Sequence, residues 1–321
     1  SDPVYAAASS DGFGWATASP SYAAPDLASV AGRGILLAAD SFVSGLDVSA
    51  EEVEGEVLRG LAEVGPSLPR LNAAGVWRMC ESGARAAAED GLIEEEDLAF
   101  FTSLPGDADA LGRRAVSAGE RGWTDGKIRI SPYETGSIFD SESAESLGLE
   151  RGLFAVVVGA SCGELGRISL SLHRERIHSR VESGEFDSPL DLPAAPLETE
   201  EATDFLAAVR AAANFADARA ALRVYALRRV LREFAGNAGI RASWRVGGVG
   251  EPEGLVVHRK NLAFARRGDV LVSGGVIAVG TGTMHESVPP FGVGETEGPG
   301  PWEESGLLER IARLSPLKEE G

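Results

Sequence analysis

A chain of 321 residues, 44% of them apolar, can bury one large core or two modest ones, and it has no run of 18 apolar residues that would span a membrane. Its formal charge of −19, from 49 acidic and 30 basic residues, repels phosphate backbones in general, so a nucleic-acid contact would need a local basic patch. Two cysteines, Cys80 and Cys162, exclude a disulfide framework and point to a reduced, cytoplasmic setting; the opening Ser1-Asp2-Pro3-Val4-Tyr5 has neither the basic nor the apolar region of a signal peptide.

Short strands are expected over 4–8, 14–18 and 34–39, between Gly- and Ser-rich turns. The spacing predicts helices over 49–63 and over 72–89, with shorter ones over 94–104 and 108–118. Lys127 to Ile130 alternates like a strand, and 137–149 is polar and reads as irregular. The apolar run Leu153 to Val158 has the length of a fully buried strand. A helix is expected over 169–182, then a proline-rich loop over 188–196. Residues 199–234 form the clearest element, a helix long enough to be kinked or divided, with a small-residue stretch from Ala211 to Ala221 suited to close packing. Strands follow over 255–257, 270–272 and 276–279, then a Pro- and Gly-rich loop over 289–301 and a helix over 306–314. No repeat is visible, and the pattern is that of a single α+β domain spanning 1–321.

Four segments carry a resemblance. Ala211-Ala212-Ala213-Asn214-Phe215-Ala216-Asp217-Ala218-Arg219 lies on the long helix, Val256-Val257-His258-Arg259-Lys260 on a strand, Gly268-Asp269-Val270-Leu271-Val272-Ser273-Gly274-Gly275 on a strand and turn, and Leu308 to Leu317 near the end. In this order they resemble the RtcB-type RNA-splicing ligases, whose fold combines mixed sheets with long packed helices. The resemblance implies a ligase that joins RNA ends using GTP and manganese, with Asp, Cys and His ligands around two metals and a histidine that becomes guanylylated.

The positions expected to carry that chemistry do not match. The family's Asp- and Cys-bearing metal segment falls on Ala31-Gly32-Arg33-Gly34-Ile35-Leu36. One His ligand falls near Gly126-Lys127-Ile128-Arg129, the next on Gly159, and a His-Asn pair near Gly247-Gly248. The nucleophile motif has no counterpart; His285 lies in that part of the chain without it. Manganese needs carboxylate, imidazole or thiolate donors, so no metal and no cofactor is expected, and no catalytic residue is assigned. The expected role is a catalytically degenerate module that binds RNA, a guanine nucleotide or a protein partner. An active ligase with a rebuilt site and an unrelated structural or oligomeric protein stand as alternatives.

Candidate nucleotide- or phosphate-binding residues are Lys127, His258, Arg259, Lys260, Ser273, Gly274 and Gly275. Arginine forks and lysine charge suit phosphate, and a Ser-Gly-Gly turn can offer backbone N–H groups. The plainer readings are a solvated strand end and an ordinary turn. Cys162 follows the buried strand in a Gly-rich turn, where a nucleophile could sit, with His173 and His178 as nearest bases in sequence, but a small buried hydrophobe suits it as well. Arg219, Arg223, Arg228, Arg229 and Arg232 read as a basic helix face in a solvent-exposed salt-bridge surface.

Overall fold

The computed structural model describes residues 5–8, 15–19, 21–28, 30–45, 69–124, 129–187, 192–250, 256–265, 267–273, 276–280, 284–287 and 308–317, with 52, 55, 57 and 59 helical. The strands are β1 (Tyr5–Ala8), β2 (Trp15–Ser19), β3 (Tyr22–Ala23), β4 (Gly32–Phe42), β5 (Arg129–Ile138), β6 (Leu153–Ser161), β7 (Ala195–Pro196), β8 (Ala238–Gly250), β9 (Val256–Ala265), β10 (Val270–Ser273), β11 (Val276–Gly280), β12 (Met284–Ser287) and β13 (Leu308–Pro316). The helices are α1 (Ala73–Ser82), α2 (Ala84–Glu89), α3 (Arg113–Gly122), α4 (Ser141–Ser146), α5 (Gly163–Glu182) and α6 (Glu200–Phe234). The class is α+β.

Eleven strands form one sheet in the order β1-β2-β9-β8-β4-β6-β5-β13-β11-β10, with β12 beside β9. Every described pairing is antiparallel, where mixed sheets were expected. β4 and β6 occupy the middle, which explains why their sequences are apolar on both faces. On one face, Ile35, Leu37, Phe154, Val156 and Val158 pack against the helices. On the other, Leu36, Val157 and Trp244 share a core with Leu271, Ile277 and Ile311. β10 also touches β8, so the sheet curls back on itself and buries that second face without a helical layer.

Helix α6 is a single, undivided element of 35 residues. The Thr199 side chain caps it by accepting the Ala202 N–H, and Glu200 and Glu201 sit in its first turn. Every residue from Ala211 to Val224 is buried. A helix of this length surrounded on all sides must carry small residues where backbone approaches and must satisfy every polar group it retains.

Several expected elements are corrected. The helix over 72–89 is broken at Gly83, whose φ of 58° ends α1 before α2 begins. That break leaves the last carbonyls of α1 without helical partners. The Asn214 amide on α6 takes them, donating to Cys80 O at 2.9 Å and Glu81 O at 3.2 Å. The same amide donates to Leu104 O at 2.8 Å, and its oxygen accepts the Leu104 N–H at 2.9 Å. Residues 95–100 form a 3₁₀ turn, another turn covers 109–111, and the helix expected over 108–118 is shifted to α3. Residues within the expected irregular span 137–149 form α4, capped by Asp140. The expected C-terminal helix is the strand β13, and the long strand β8 was not anticipated. The expected loop at 289–301 and most of the helix at 49–63 lie outside the described residues. Among the described residues no helix is long and apolar enough to cross a membrane.

Candidate functional site

The described parts of the segments that the resemblance sets against the metal-ligand motifs of the RtcB-type ligases lie on neighbouring strands of the sheet. Gly32 of β4 pairs with Ser161 of β6 on one side and Val246 of β8 on the other. Gly34 pairs with Gly159, and Gly159 pairs in turn with Arg129 of β5. A Cβ on Gly248 would lie 3.3 Å from the Ala31 Cβ. Gly248 is also opposite Arg259 of β9. Stretches far apart in sequence (31–36, 129, 159–161, 246–248 and 258–260) therefore occupy neighbouring strands across β9-β8-β4-β6-β5.

Helix α6 crosses this part of the sheet and supplies charge to it. Asp217 is 1% exposed and is gripped by two guanidinium groups. Arg33 of β4 donates through Nε at 2.7 Å and Nη2 at 2.8 Å, and Arg245 of β8 donates through Nη2 at 2.7 Å. Burial alone would raise the Asp217 pKa; Arg245 and Arg33 together outweigh it and hold the carboxyl below its ordinary value. The Arg33 guanidinium also lies over the Phe101 ring, 5.6 Å from its centroid. Two turns of α6 then bring Arg219 and Arg223 against the end of β6. Arg219 Nη1 donates to Ser161 O and Arg223 Nη1 to Gly159 O, each at 2.6 Å.

These arginines depart from the expected exposed basic face. Arg219 and Arg223 are 4% and 7% exposed, because they project from the part of α6 that is buried all round. Arg228 is partly buried too: it grips the Asp97 carboxylate and donates Nε to Ala238 O at 2.7 Å. Only Arg229 and Arg232 lie on the outer side of the helix. The overlooked signal is the Ala-rich context: charges set in 14 consecutive buried positions must be paired or hydrogen-bonded inside.

Of the residues expected to bind a nucleotide, His258 is the one whose side chain is among the described residues. His258 is buried in the interior; its Nε2 accepts the Ala24 N–H at 2.9 Å and its ring stacks on Phe205. This is a packing role rather than a ring presented to phosphate. For Arg259, Lys260 and Ser273 the structure gives strand positions only: Arg259 pairs with Ala16, Lys260 with Trp15, and Ser273 ends β10 opposite Val276. Arg259 and Lys260 lie on β9 and Ser273 on β10, which is last in the order of the sheet but contacts β8, the neighbour of β9. Lys127, Gly274 and Gly275 lie outside the described residues.

Cys162 and His173 do line one cavity, between α5, α6 and the segment before β4. It holds about 20 Å³ and its other walls are largely Val30, Leu170, Phe205 and Val209, so there is room for about one water molecule. Burial pushes the Cys162 thiol up to about 11, against the pull of Arg219. Burial also lowers the His173 pKa, and its Nε2 lies 2.9 Å from Ala110 O. A neutral, enclosed thiol is not a nucleophile. His178 sits on the outer side of α5 beside Glu182.

Among the described residues no group of His, Cys, Asp or Glu side chains could hold a metal ion. At the end of the sheet the described charged side chains are the guanidinium groups of Arg33, Arg219, Arg223 and Arg245 and the Asp217 carboxylate, which two of them hold, a set that does not fit manganese. No family model matches the chain, and no curated protein matches it.

Proposed function

We propose that this chain is a degenerate RtcB-like protein that binds RNA or a guanine nucleotide and does not join RNA ends. The observation that carries this reading is the convergence of the 31–36, 129, 159–161, 246–248 and 258–260 segments on adjacent strands at one end of the sheet. These are the stretches that the resemblance makes equivalent to the ligase's site, and a chance set of matches would have no reason to adjoin. The side chains there favour binding over chemistry. Arg33, Arg219, Arg223 and Arg245 place four guanidinium groups near this end of an otherwise acidic protein, which supports an anionic ligand.

The test is a fluorescence anisotropy titration of the full chain with single-stranded RNA and with GTP, each at several salt concentrations. Binding that weakens as salt rises, and weakens again in Arg259→Ala/Lys260→Ala, supports the reading. Binding of neither ligand at low salt would remove it and turn attention to a protein partner.

A further inference from the structure

His258 is 1% exposed on β9, and its Nε2 lies 2.9 Å from the Ala24 nitrogen. A backbone N–H can only donate, so Nε2 is the acceptor and carries no proton. A proton there would set one N–H against another, whatever partners the rest of the ring has. The bond ties segment 21–28 to β9. That segment reaches both α5 and α6: β3 touches α6 and pairs with β7, the turn Pro25–Leu27 touches α5 and β9, and Asp26 bonds Arg174 of α5. Ala23 and Ala28 belong to the small core of Ile177, Phe186, Phe205 and Val249.

Phe205 contacts both His258 and His173, with centroids 6.4 and 5.8 Å from its own. The two imidazoles differ in what a proton does to them. Ala110 O can only accept, so His173 Nε2 is a donor, and protonation at Nδ1 would leave that bond in place. At His258 the proton displaces the bond itself. Opposite His258 in the sheet are Val249 of β8 and Thr17 of β2. The described ionisable groups on the other packed elements are Tyr22 and Asp26 in the segment, Glu201 and Asp204 on α6, and His173, Arg174, Arg176 and Arg180 on α5. The three carboxylates already hold cations: Asp26 has Arg174, Asp204 has Arg176, and Glu201 has Arg176 and Arg180. Stacking on Phe205 favours an imidazolium, but it cannot give the buried Ala24 N–H a new acceptor.

We infer that His258 is an acid-operated latch: a proton on its Nε2 releases segment 21–28 from β9 and the two helices while the central sheet stays folded. The latched state excludes that proton and the released state accepts it. Release is therefore favoured as pH falls below the ordinary imidazole value of about 6.5, and the latch is fully closed above it. Between about pH 7.5 and about pH 5.5 the released population should rise about tenfold. The latch stands on one bond and its surroundings, without the RtcB-like reading.

The experiment is amide hydrogen exchange of the full chain at the two pH values, each corrected for the intrinsic exchange rate. Protection over 21–28 is expected to fall about tenfold in acid, while β6 keeps its protection. His258→Gln keeps an acceptor that takes no proton in this range, so its protection over 21–28 should not change with pH. His173→Gln should still show the fall, because the Ala24 bond is intact in it. If His258→Gln does not fold, nitrogen NMR of the wild-type imidazoles replaces it: Nε2 of His258 should be unprotonated at neutral pH, and the Ala24 amide signal should weaken as that ring titrates. Protection over 21–28 that is the same at both pH values overturns the inference. So does a fall that persists in His258→Gln or vanishes in His173→Gln, or a His258 Nε2 already protonated at neutral pH.

Discussion

Asp217→Asn isolates the ion cluster that joins α6 to the middle of the sheet. Asparagine keeps the shape and some hydrogen bonds but leaves Arg33 and Arg245 without a counter-charge in a site where Asp217 is 1% exposed. Removing one partner of a buried pair costs about 3–5 kcal/mol, a large part of the roughly 5–15 kcal/mol that holds a typical domain folded. The assay is urea unfolding of wild type and variant across a pH series. The folded-state pKa of Asp217 is depressed, so its contribution is fully present above the unfolded value of about 3.9 and is lost as pH falls through the folded value. The stability gap should therefore be widest near neutrality and close in acid. A gap below about 1 kcal/mol at pH 7, or one that stays constant down to strong acid, would refute the account of this cluster.

Asn214→Ala should cost about 2–3 kcal/mol in the same unfolding assay, because it strands the Leu104 amide group and the carbonyls at the end of α1. Gly34→Ala should destabilise by about 1–3 kcal/mol, since its Cβ would overlap the Trp244 indole across the β4–β8 pairing; Gly34→Ala/Trp244→Leu should recover part of the loss. Cys162 and Cys80 should resist thiol reagents at pH 8 in the native protein and react fully in urea, because burial raises both thiols; rapid native labelling of Cys162 would contradict the enclosed, neutral thiol described here.

The most legible parts of the sequence were those where one physical demand dominates. β6 is buried on both faces and reads as an uninterrupted apolar run, and α6 carries apolar and small residues over its whole length. The misreading of β13 as a helix has a specific cause. Its pairing register with β5 shifts between Ala312 and Leu314, so the buried set Ile311, Ala312 and Leu314 does not alternate, and the resulting spacing mimics a helical stripe. β8 escaped notice because Ser243 and Arg245, on its helix-facing side, are polar: Ser243 donates to Phe100 O, and Arg245 to Thr102 O and Asp217. The break at Gly83 was hidden by good helix formers on both sides, since only the need to feed carbonyls to Asn214 requires it.

For the site, the residue types were visible and their placement was not. His258 read as a phosphate ligand from its neighbours Arg259 and Lys260, yet strand alternation turns it onto Phe205 and the Ala24 amide. Arg219 and Arg223 read as solvent-facing because arginine mostly is; the crossing of α6 over the sheet puts them inside. The register that aligns Gly32, Ser161 and Val246 could come only from the folded chain.

The central claim, binding without ligase chemistry, is met most directly by incubating the full chain with GTP labelled on the α-phosphate in the presence of manganese and measuring retained label before and after denaturation. The account predicts label retained by the native protein and none after denaturation. Label that survives denaturation, as a covalent guanylyl group would, contradicts it.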